Sequence, residues 1–270
     1  MWVVLLIGVG LVWLVLCQVG KHIIFRAQKK RWPMHLAFEE ISFQTPENKT
    51  LTGVYLKAHP GKETLLFFHG RGGNISHFES FAQTYSALGY GIFMFDYEGF
   101  GTSSGTPSQK ALFEDALCAA RYGLNHLKLH PHEVVLYGHS LGNSPALFAA
   151  NRLNFPFKAL ILQSPFLSTP DMAVCLWTHT YHPRTLFYKL TRAFVYPFLY
   201  KNRFDNTRQT DRLKIPVLVC MSREDKIIPW QMTLAFADNS GLPNRFISPT
   251  GGHDEFAWAA QAVKTFLEKL

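Results

Sequence analysis

Six short, mainly apolar runs alternate with longer amphipathic stretches along residues 64–270 of this 270-residue chain. In chain order the runs read TLLFFHG, GIFMFDY, VVLYG, KALILQSP, IPVLVCMS and NRFISP. Strands buried on both faces have this continuous apolar character, because helices cover both faces of a parallel sheet. The pattern therefore predicts an α/β fold with a mostly parallel central sheet flanked by helices.

Two segments depart from this alternation. Before it, FEEISFQT and TLTGVYLKA alternate apolar and polar residues on either side of a polar turn, which predicts a strand pair. Within it, residues 168–212 are rich in aromatic and basic side chains and separate two of the apolar runs. We expect this insertion to be helical and to form a cap or lid.

The run VVLYG leads into GHSLG, where Ser140 stands between Gly138 and Gly142. A G-x-S-x-G match alone identifies only a tight turn. Here a strand precedes it and a helical stretch follows, which is the context that a nucleophile elbow requires. We therefore predict Ser140 as a nucleophile, with the Leu141 N–H at the helix start as an oxyanion donor.

The ligand crevice of a parallel sheet lies at the carboxyl ends of its strands, so the other strand ends are candidate positions for functional residues. TLLFFHG is followed by a glycine-rich turn whose Arg71 N–H is predicted as the second oxyanion donor. A plain loop is the alternative. His69 is expected to orient this turn rather than to catalyse.

An acid and a base are needed to activate a serine hydroxyl. Asp225 follows IPVLVCMS and is predicted as the acid, with Glu224 and Asp171 as alternatives. His253 follows NRFISP on a glycine-flanked loop and is predicted as the general base. The remaining histidines, including His139, are assigned to surface or loop positions.

Spacing and composition exclude several other kinds of site. The four cysteines have no paired spacing, no His/Cys/Asp cluster has metal-ligand spacing, and no G-x-G-x-x-G follows a strand. We predict no metal and no cofactor. The formal charge is +8, but it lies beside residues 2–20 and in the insertion without a nucleic-acid motif, so no nucleic-acid partner is expected.

The order Ser140, Asp225, His253 around an elbow resembles the α/β-hydrolase superfamily over nearly all of residues 39–270. FDYEGFGTSSGTPS and HGRGGN are similar to loops of its membrane-anchored serine hydrolases, which include lysophospholipases, monoacylglycerol-type lipases and depalmitoylating thioesterases. The resemblance implies an α/β-hydrolase fold and a Ser-His-Asp triad that works through an acyl-enzyme intermediate without a cofactor. Asn143 and Pro145 depart from what is common after the elbow.

Residues 2–20 carry no charge and, as a helix, would span about 28 Å, close to a hydrocarbon core of about 30 Å. Basic residues follow, while the features of a cleaved signal peptide are missing. We therefore predict a transmembrane anchor at 1–20, a basic juxtamembrane linker at 21–37 and a hydrolase domain at 38–270. The protein is expected to be single-pass, with the catalytic domain on the cytoplasmic side.

The predicted function is hydrolysis of an acyl ester or thioester, lipid-like, at a membrane surface. Aromatic and basic residues of the insertion suit an interface with anionic lipid, and membrane lipid is an expected partner. An aminopeptidase-like or small-ester hydrolase of the same fold, and a catalytically inactive scaffold, are the alternatives.

Overall fold

The computed structural model describes residue 15, residues 17–178 and residues 180–270. Within these residues, a central sheet contains eight strands. The strands are β2 (Glu39–Gln44), β3 (Thr50–Leu56), β4 (Thr64–Phe68), β6 (Gly91–Asp96), β7 (Val134–His139), β8 (Ala159–Gln163), β9 (Val217–Ser222) and β10 (Arg245–Ser248). A separate two-stranded ladder joins β1 (Arg26–Ala27) and β5 (Gly72–Gly73).

The spatial order of the central sheet is β10-β9-β8-β7-β4-β6-β3-β2. Strands β4 and β6 to β10 pair in parallel, so their carboxyl ends lie along one edge. Strands β2 and β3 form an antiparallel pair, and β3 is antiparallel to β6. The predicted mostly parallel sheet and the predicted strand pair are both confirmed.

Helices cover both faces of the sheet. In chain order they are α1 (residues 17–24), α2 (Glu79–Ser86), α3 (Gln109–Asn125), α4 (Asn143–Arg152), α5 (Thr169–Thr178), α6 (Leu186–Leu199), α7 (Trp230–Asn239) and α8 (Ala257–Leu267). Helices α5 and α6 lie within the insertion, between β8 and β9.

Each apolar run supplies both layers of the core. On β4, Leu66 and Phe68 belong to a buried cluster shared with α3, α4 and α7, while Leu65 and Phe67 belong to one shared with α2 and α8. Successive side chains of a strand point to opposite faces, so a strand covered on both sides must be apolar at every position. The central strands are buried throughout for this reason.

The predicted single-pass membrane localisation is contradicted. Across the described parts of the chain, none of the helices combines the length and the apolar character that crossing a bilayer requires. Of the anchor predicted over residues 1–20, residues 1–14 and 16 lie outside the described residues. The described part belongs to α1, in which Gly20 and Ile24 are buried against the rest of the protein.

Two carboxyl groups near the β6 end are buried. Asp115 on α3 accepts a hydrogen bond from the Glu98 N–H at 2.8 Å, and Asp96 accepts one from the Ile75 N–H at 2.8 Å. Burial raises the pKa of Asp115 to about 8 and that of Asp96 to about 7. Each group therefore keeps its proton in the folded protein at pH values where the unfolded chain has lost it.

These raised pKa values make stability depend on pH. Between about pH 4 and pH 8 the folded protein binds the Asp115 proton and the unfolded chain does not, so the free energy of unfolding falls as pH rises. Asp115→Asn removes this term and keeps an acceptor for the Glu98 N–H. The variant is expected to gain several degrees in Tm over wild type at pH 8 and little near pH 4.

Urea and thermal unfolding at four pH values between 4 and 9 measure this difference. Asp211→Asn, at an exposed position, is the control and should show no gain that grows with pH. A difference between Asp115→Asn and wild type that stays constant across the pH range would contradict the explanation.

Candidate active site

Ser140 lies at a sharp turn between β7 and α4. Its φ is 53°, in the left-handed region, and a single 3-10 turn (Ser140–Gly142) joins it to the helix. A Cβ atom at Gly138 would lie 2.7 Å from the Asn143 Cα, and one at Gly142 would collide with the carbonyl oxygen of Phe68. Gly138 is therefore required where β7 approaches α4, and Gly142 where the turn approaches the end of β4.

The two unusual residues after the elbow support the turn. The Asn143 side-chain amide donates to the backbone carbonyls of Ser140 and Gln163, both at 2.8 Å. Asn143 thereby links the turn to the neighbouring strand β8. Pro145 lies in the first turn of α4, where a backbone N–H has no partner within the helix, so the proline removes no hydrogen bond.

Asp225 and His253 follow β9 and β10 and form a hydrogen-bonded pair. The Asp225 Oδ2 atom lies 2.8 Å from the His253 Nδ1 atom, and both side chains are largely buried. Asp225 Oδ2 also accepts from the Ser164 hydroxyl at 2.8 Å, while its Oδ1 accepts from the N–H groups of Ile227 and Ile228 at 2.9 and 2.8 Å. Burial favours the neutral acid, but His253 and these donors outweigh it and lower the pKa of Asp225.

The two alternative acids are engaged elsewhere. Glu224 accepts from the Gly251 N–H at 3.0 Å. Asp171 lies on α5 and binds the Tyr188 hydroxyl at 2.8 Å and the Arg192 Nε at 2.7 Å, both from α6. Asp171 therefore joins the two helices of the insertion, and Asp225 is the carboxylate bonded to His253.

His139 was assigned to a surface or loop position, and this assignment is wrong. It is fully buried, and its Nε2 lies 3.1 Å from the carboxylate of Asp254, the residue after His253. Burial lowers the pKa of His139, and the hydrogen bond from His139 lowers the pKa of Asp254 to about 2. A neutral imidazole thus donates to an ionised carboxylate and joins the elbow to the His253 loop. The ring centroids of His139 and His253 are 4.9 Å apart.

One group in the described part of the chain could hold a metal ion. Side-chain ligand atoms of His139, His253 and Asp254 lie within 4.8 Å of one another. Hydrogen bonds already account for this proximity, because His253 Nδ1 is bonded to Asp225 and His139 Nε2 to Asp254. The arrangement is explained without an ion.

The turn after β4, residues 70–74, carries Arg71, the predicted oxyanion donor, and is called the oxyanion loop for that prediction. His69 is fully buried before it, and the His69 Nδ1 lies 2.8 Å from the Gly70 carbonyl oxygen. Burial lowers the pKa of His69 to about 3, so the ring is neutral and donates this bond from Nδ1. His69 is thus bonded to the first residue of the loop, and its role in orienting the loop stays a prediction.

An apolar cavity of about 260 Å³ lies beside the elbow. The predicted nucleophile Ser140 and the predicted donors Leu141 and Arg71 all line it. The other lining residues come from α1, the insertion and the loops after β8 and β9: Val19, Gly20, Ile23, Ile24, Phe166, Thr169, Met172, Ala173, Leu176, Phe194, Val195, Phe198, Leu199, Ile227 and Ile228.

Sequence reasoning missed two contributors to this site. Ser164, which holds Asp225, follows β8 at the same edge of the sheet and has a φ of 50°. Its position at a strand end was the signal that could have identified it. Of the α1 residues of the cavity, Val19 and Gly20 lie in the segment predicted as a membrane anchor, and Ile23 and Ile24 lie in the predicted basic linker.

Comparisons with known proteins agree with this architecture. Over residues 59–206, more than half of the chain, the sequence matches the hydrolase family described as "Serine aminopeptidase, S33". Protein bem46 of Schizosaccharomyces pombe is 29% identical over 227 residues, which cover 79% of this chain and 70% of that protein. Lysophosphatidylserine lipase ABHD12 of Danio rerio is 30% identical over 190 residues, which cover 66% of this chain and 46% of that protein.

Solved structures show the same fold at lower identity. An α/β hydrolase from Vibrio vulnificus superposes with a TM-score of 0.69 at 21% identity, covering 86% of this chain and 81% of that one. The Pyrococcus furiosus esterase Pf2001 gives 0.67 at 15% identity, with coverages of 91% and 97%. The chain is therefore a hydrolase of the α/β-hydrolase fold and belongs to the serine aminopeptidase family of that superfamily.

Proposed function

We propose that the protein is a serine hydrolase that cleaves an acyl ester or thioester through an acyl-enzyme intermediate. One observation carries the proposal: Ser140 lines an apolar cavity at a strained turn, and the buried Asp225–His253 pair lies beside that turn, with the His253 ring 4.9 Å from the ring of His139, the residue before Ser140. A serine hydroxyl becomes an effective nucleophile only when a base accepts its proton. The pair supplies that base and its orienting carboxylate.

In the proposed first step, Ser140 Oγ bonds to the acyl carbonyl carbon while its proton passes to His253 Nε2. The carbonyl π electrons move to oxygen, where the N–H groups of Leu141 and Arg71 stabilise the negative charge. Collapse breaks the bond to the alcohol or thiol, which leaves with the proton from His253. Water then attacks the acyl-enzyme by the same route and releases the acid. Asp225 stays ionised and stabilises the His253 imidazolium.

A lipid-like acyl group suits the cavity best. Apart from Ser140, Arg71 and Thr169, its lining side chains are apolar, so it can desolvate an alkyl chain without burying unpaired polar groups. Val19, Ile23 and Phe194 line the cavity and are also between 48% and 69% exposed, which makes its rim apolar. We extend the proposal to substrates presented at a lipid surface. A relative that is a lysophosphatidylserine lipase supports this substrate class.

The insertion is proposed to act as the lid of this cavity. Helix α5 contributes Met172 and Leu176 to the lining, and α6 contributes Phe194 and Leu199. Asp171 of α5 is hydrogen-bonded to Tyr188 and Arg192 of α6. These bonds would make the two helices move together.

Peptide hydrolysis is the main alternative, since the matched family is described as serine aminopeptidase. An aminopeptidase must bind a cationic N-terminus, for which a carboxylate is the natural partner. Among the described residues that line the cavity there is no carboxylate, whereas the basic Arg71 is present. This favours a neutral or anionic acyl substrate, and a small ester remains the alternative within esterases.

Covalent labelling tests the proposal and also the possibility of an inactive scaffold. A fluorophosphonate should modify wild-type protein stoichiometrically, with the adduct on the peptide that contains Ser140, and should not modify Ser140→Ala. Turnover is then measured on short and long acyl esters, acyl thioesters, lysophospholipids and aminoacyl amides, each as monomers and in vesicles. An absence of labelling, or turnover of the amides alone, would overturn it.

A further inference from the structure

Residues 17–30, named the strap, lie along the oxyanion loop. The short strand β1 pairs in parallel with β5, with Arg26 opposite Gly72 and Ala27 opposite Gly73. The Arg26 N–H donates to the Arg71 carbonyl at 2.9 Å, and the Gln28 N–H donates to the Gly73 carbonyl at 3.0 Å. Residues 26–28 fall within the predicted linker. In the structure they pair with the loop that carries a predicted oxyanion donor.

Side chains add to this attachment. The Arg71 guanidinium donates to the Ile23 carbonyl at 2.9 Å, at the C-terminal end of α1, where a cation is electrostatically favoured. The Asn74 amide donates to the carbonyls of Gln28 and Lys30 at 3.1 and 2.8 Å. The strap is therefore held against the oxyanion loop by backbone and side-chain bonds together, and the Arg71–Ile23 bond attaches the end of α1.

Helix α1 also forms one wall of the apolar cavity. Four of its residues line the same space as Ser140: Val19, Gly20, Ile23 and Ile24. Leu199 of α6 also lines this cavity. A Cβ atom at Gly20 would lie 3.0 Å from the Leu199 Cδ2 atom, so the two helices meet where α1 has no side chain.

Glycine inside a helix is unfavourable compared with alanine, because it loses more backbone freedom on folding. Gly20 is buried in the middle of the described part of α1. Helix propensity does not favour a glycine at this position, so we attribute it to the close packing of α1 against α6. A side chain there would meet the Leu199 side chain and the Phe198 carbonyl of α6, and both Gly20 and Leu199 line the cavity that Ser140 lines.

We propose that the cavity-lining residues of the strap, Val19, Gly20, Ile23 and Ile24, are part of the substrate site and that Gly20 determines the length of acyl chain that the cavity accepts. This inference rests on the proposed acyl hydrolysis at Ser140. At position 20 even a Cβ atom would lie 3.0 Å from Leu199 Cδ2, so a larger side chain must displace Leu199, which lines the cavity. Long acyl chains would lose more than short ones, because only long chains extend as far as the part of the cavity that α1 and α6 line.

The test compares Gly20→Ala and Gly20→Leu with wild type on p-nitrophenyl acetate and p-nitrophenyl decanoate. The ratio of kcat/KM for decanoate to that for acetate is expected to fall about tenfold in Gly20→Leu and less in Gly20→Ala, mainly through KM for decanoate. Since alanine favours the helix, Tm of Gly20→Ala should not fall below wild type by more than a few degrees. His22→Leu, an exposed position of α1 that does not line the cavity, is the matched control and should keep the wild-type ratio.

Binding of a fluorescent dodecanoic acid is measured in parallel, because it does not depend on turnover. Gly20→Leu is expected to weaken this binding about tenfold, and His22→Leu to leave it unchanged. If wild type hydrolyses neither ester but Gly20→Leu still weakens binding, the proposed chemistry fails and the assignment of the strap stands. An unchanged ester ratio together with unchanged binding in Gly20→Leu would overturn the role of the strap.

Discussion

Under the proposed mechanism, replacement of Ser140 by alanine is expected to lower kcat for acyl-ester hydrolysis by about 10⁵-fold, because the Ser140 hydroxyl oxygen is the atom that this mechanism acylates. His253 and Asp225 cannot compensate, since they only move and stabilise the proton that Ser140 gives up. The oxyanion donors and the cavity remain in the variant, so residual activity above the uncatalysed rate is expected. Steady-state and single-turnover rates on p-nitrophenyl butyrate, with protein freed of contaminating esterases, measure the loss.

Ser144→Ala is the matched control for this substitution. Ser144 lies one turn further along, in the first turn of α4, and its buried hydroxyl has no hydrogen-bond partner in the described structure. Removal of the Ser144 hydroxyl is expected to change kcat by less than about threefold, because no hydrogen bond is lost. Retention of more than a hundredth of wild-type activity in Ser140→Ala, or a comparable loss in Ser144→Ala, would rule out the assigned nucleophile.

Much of the fold could be predicted because a parallel sheet covered on both faces must be apolar at every strand position. Each apolar run of the sequence therefore marked one strand, and the end of each run marked a place on one edge of the sheet. The predicted Asp225 and His253 are bonded to one another because β9 and β10, which they follow, are neighbours in that sheet.

His139 shows where this reasoning ends. A polar residue at a strand end looks the same in the sequence whether it faces solvent or the core. Here the ring packs between buried aromatic side chains, with centroids 5.8 Å from Phe78 and 5.2 Å from Phe256, and its partner Asp254 lies more than a hundred residues away. Only the three-dimensional pairing identifies the bond that joins the elbow to the His253 loop.

Helix α1 shows a second limit. A charge-free segment is compatible with lipid and with the apolar interior of a protein, since both exclude water. Hydropathy alone cannot distinguish these two environments, because an apolar stretch long enough to span a membrane can also pack against a protein. For the described residues of this segment, contacts to a particular surface distinguish the two, because Gly20 of α1 lies against Leu199 of α6.

Asp225→Asn is expected to lower kcat by about 10⁴-fold while leaving the fold intact, because it forces His253 into the wrong tautomer. Asp225 Oδ1 accepts two backbone N–H groups, from Ile227 and Ile228. In the variant the amide oxygen must take that position, since an NH₂ group there would face two donors. The NH₂ group then occupies the Oδ2 position, beside Ser164 and the His253 Nδ1.

An NH₂ group can only donate to His253, so Nδ1 must be unprotonated and Nε2 must carry the hydrogen. A protonated Nε2 cannot accept the proton of Ser140, and the general base is lost although every side chain keeps its place. Glu224→Gln is the matched control, because Glu224 is the neighbouring acid and bonds to the Gly251 N–H instead. Its kcat should stay within about threefold of wild type. The rate of fluorophosphonate labelling should fall together with kcat in Asp225→Asn and should not fall in Glu224→Gln. Near-wild-type turnover in Asp225→Asn, or a large loss of turnover in Glu224→Gln, would remove Asp225 from the mechanism.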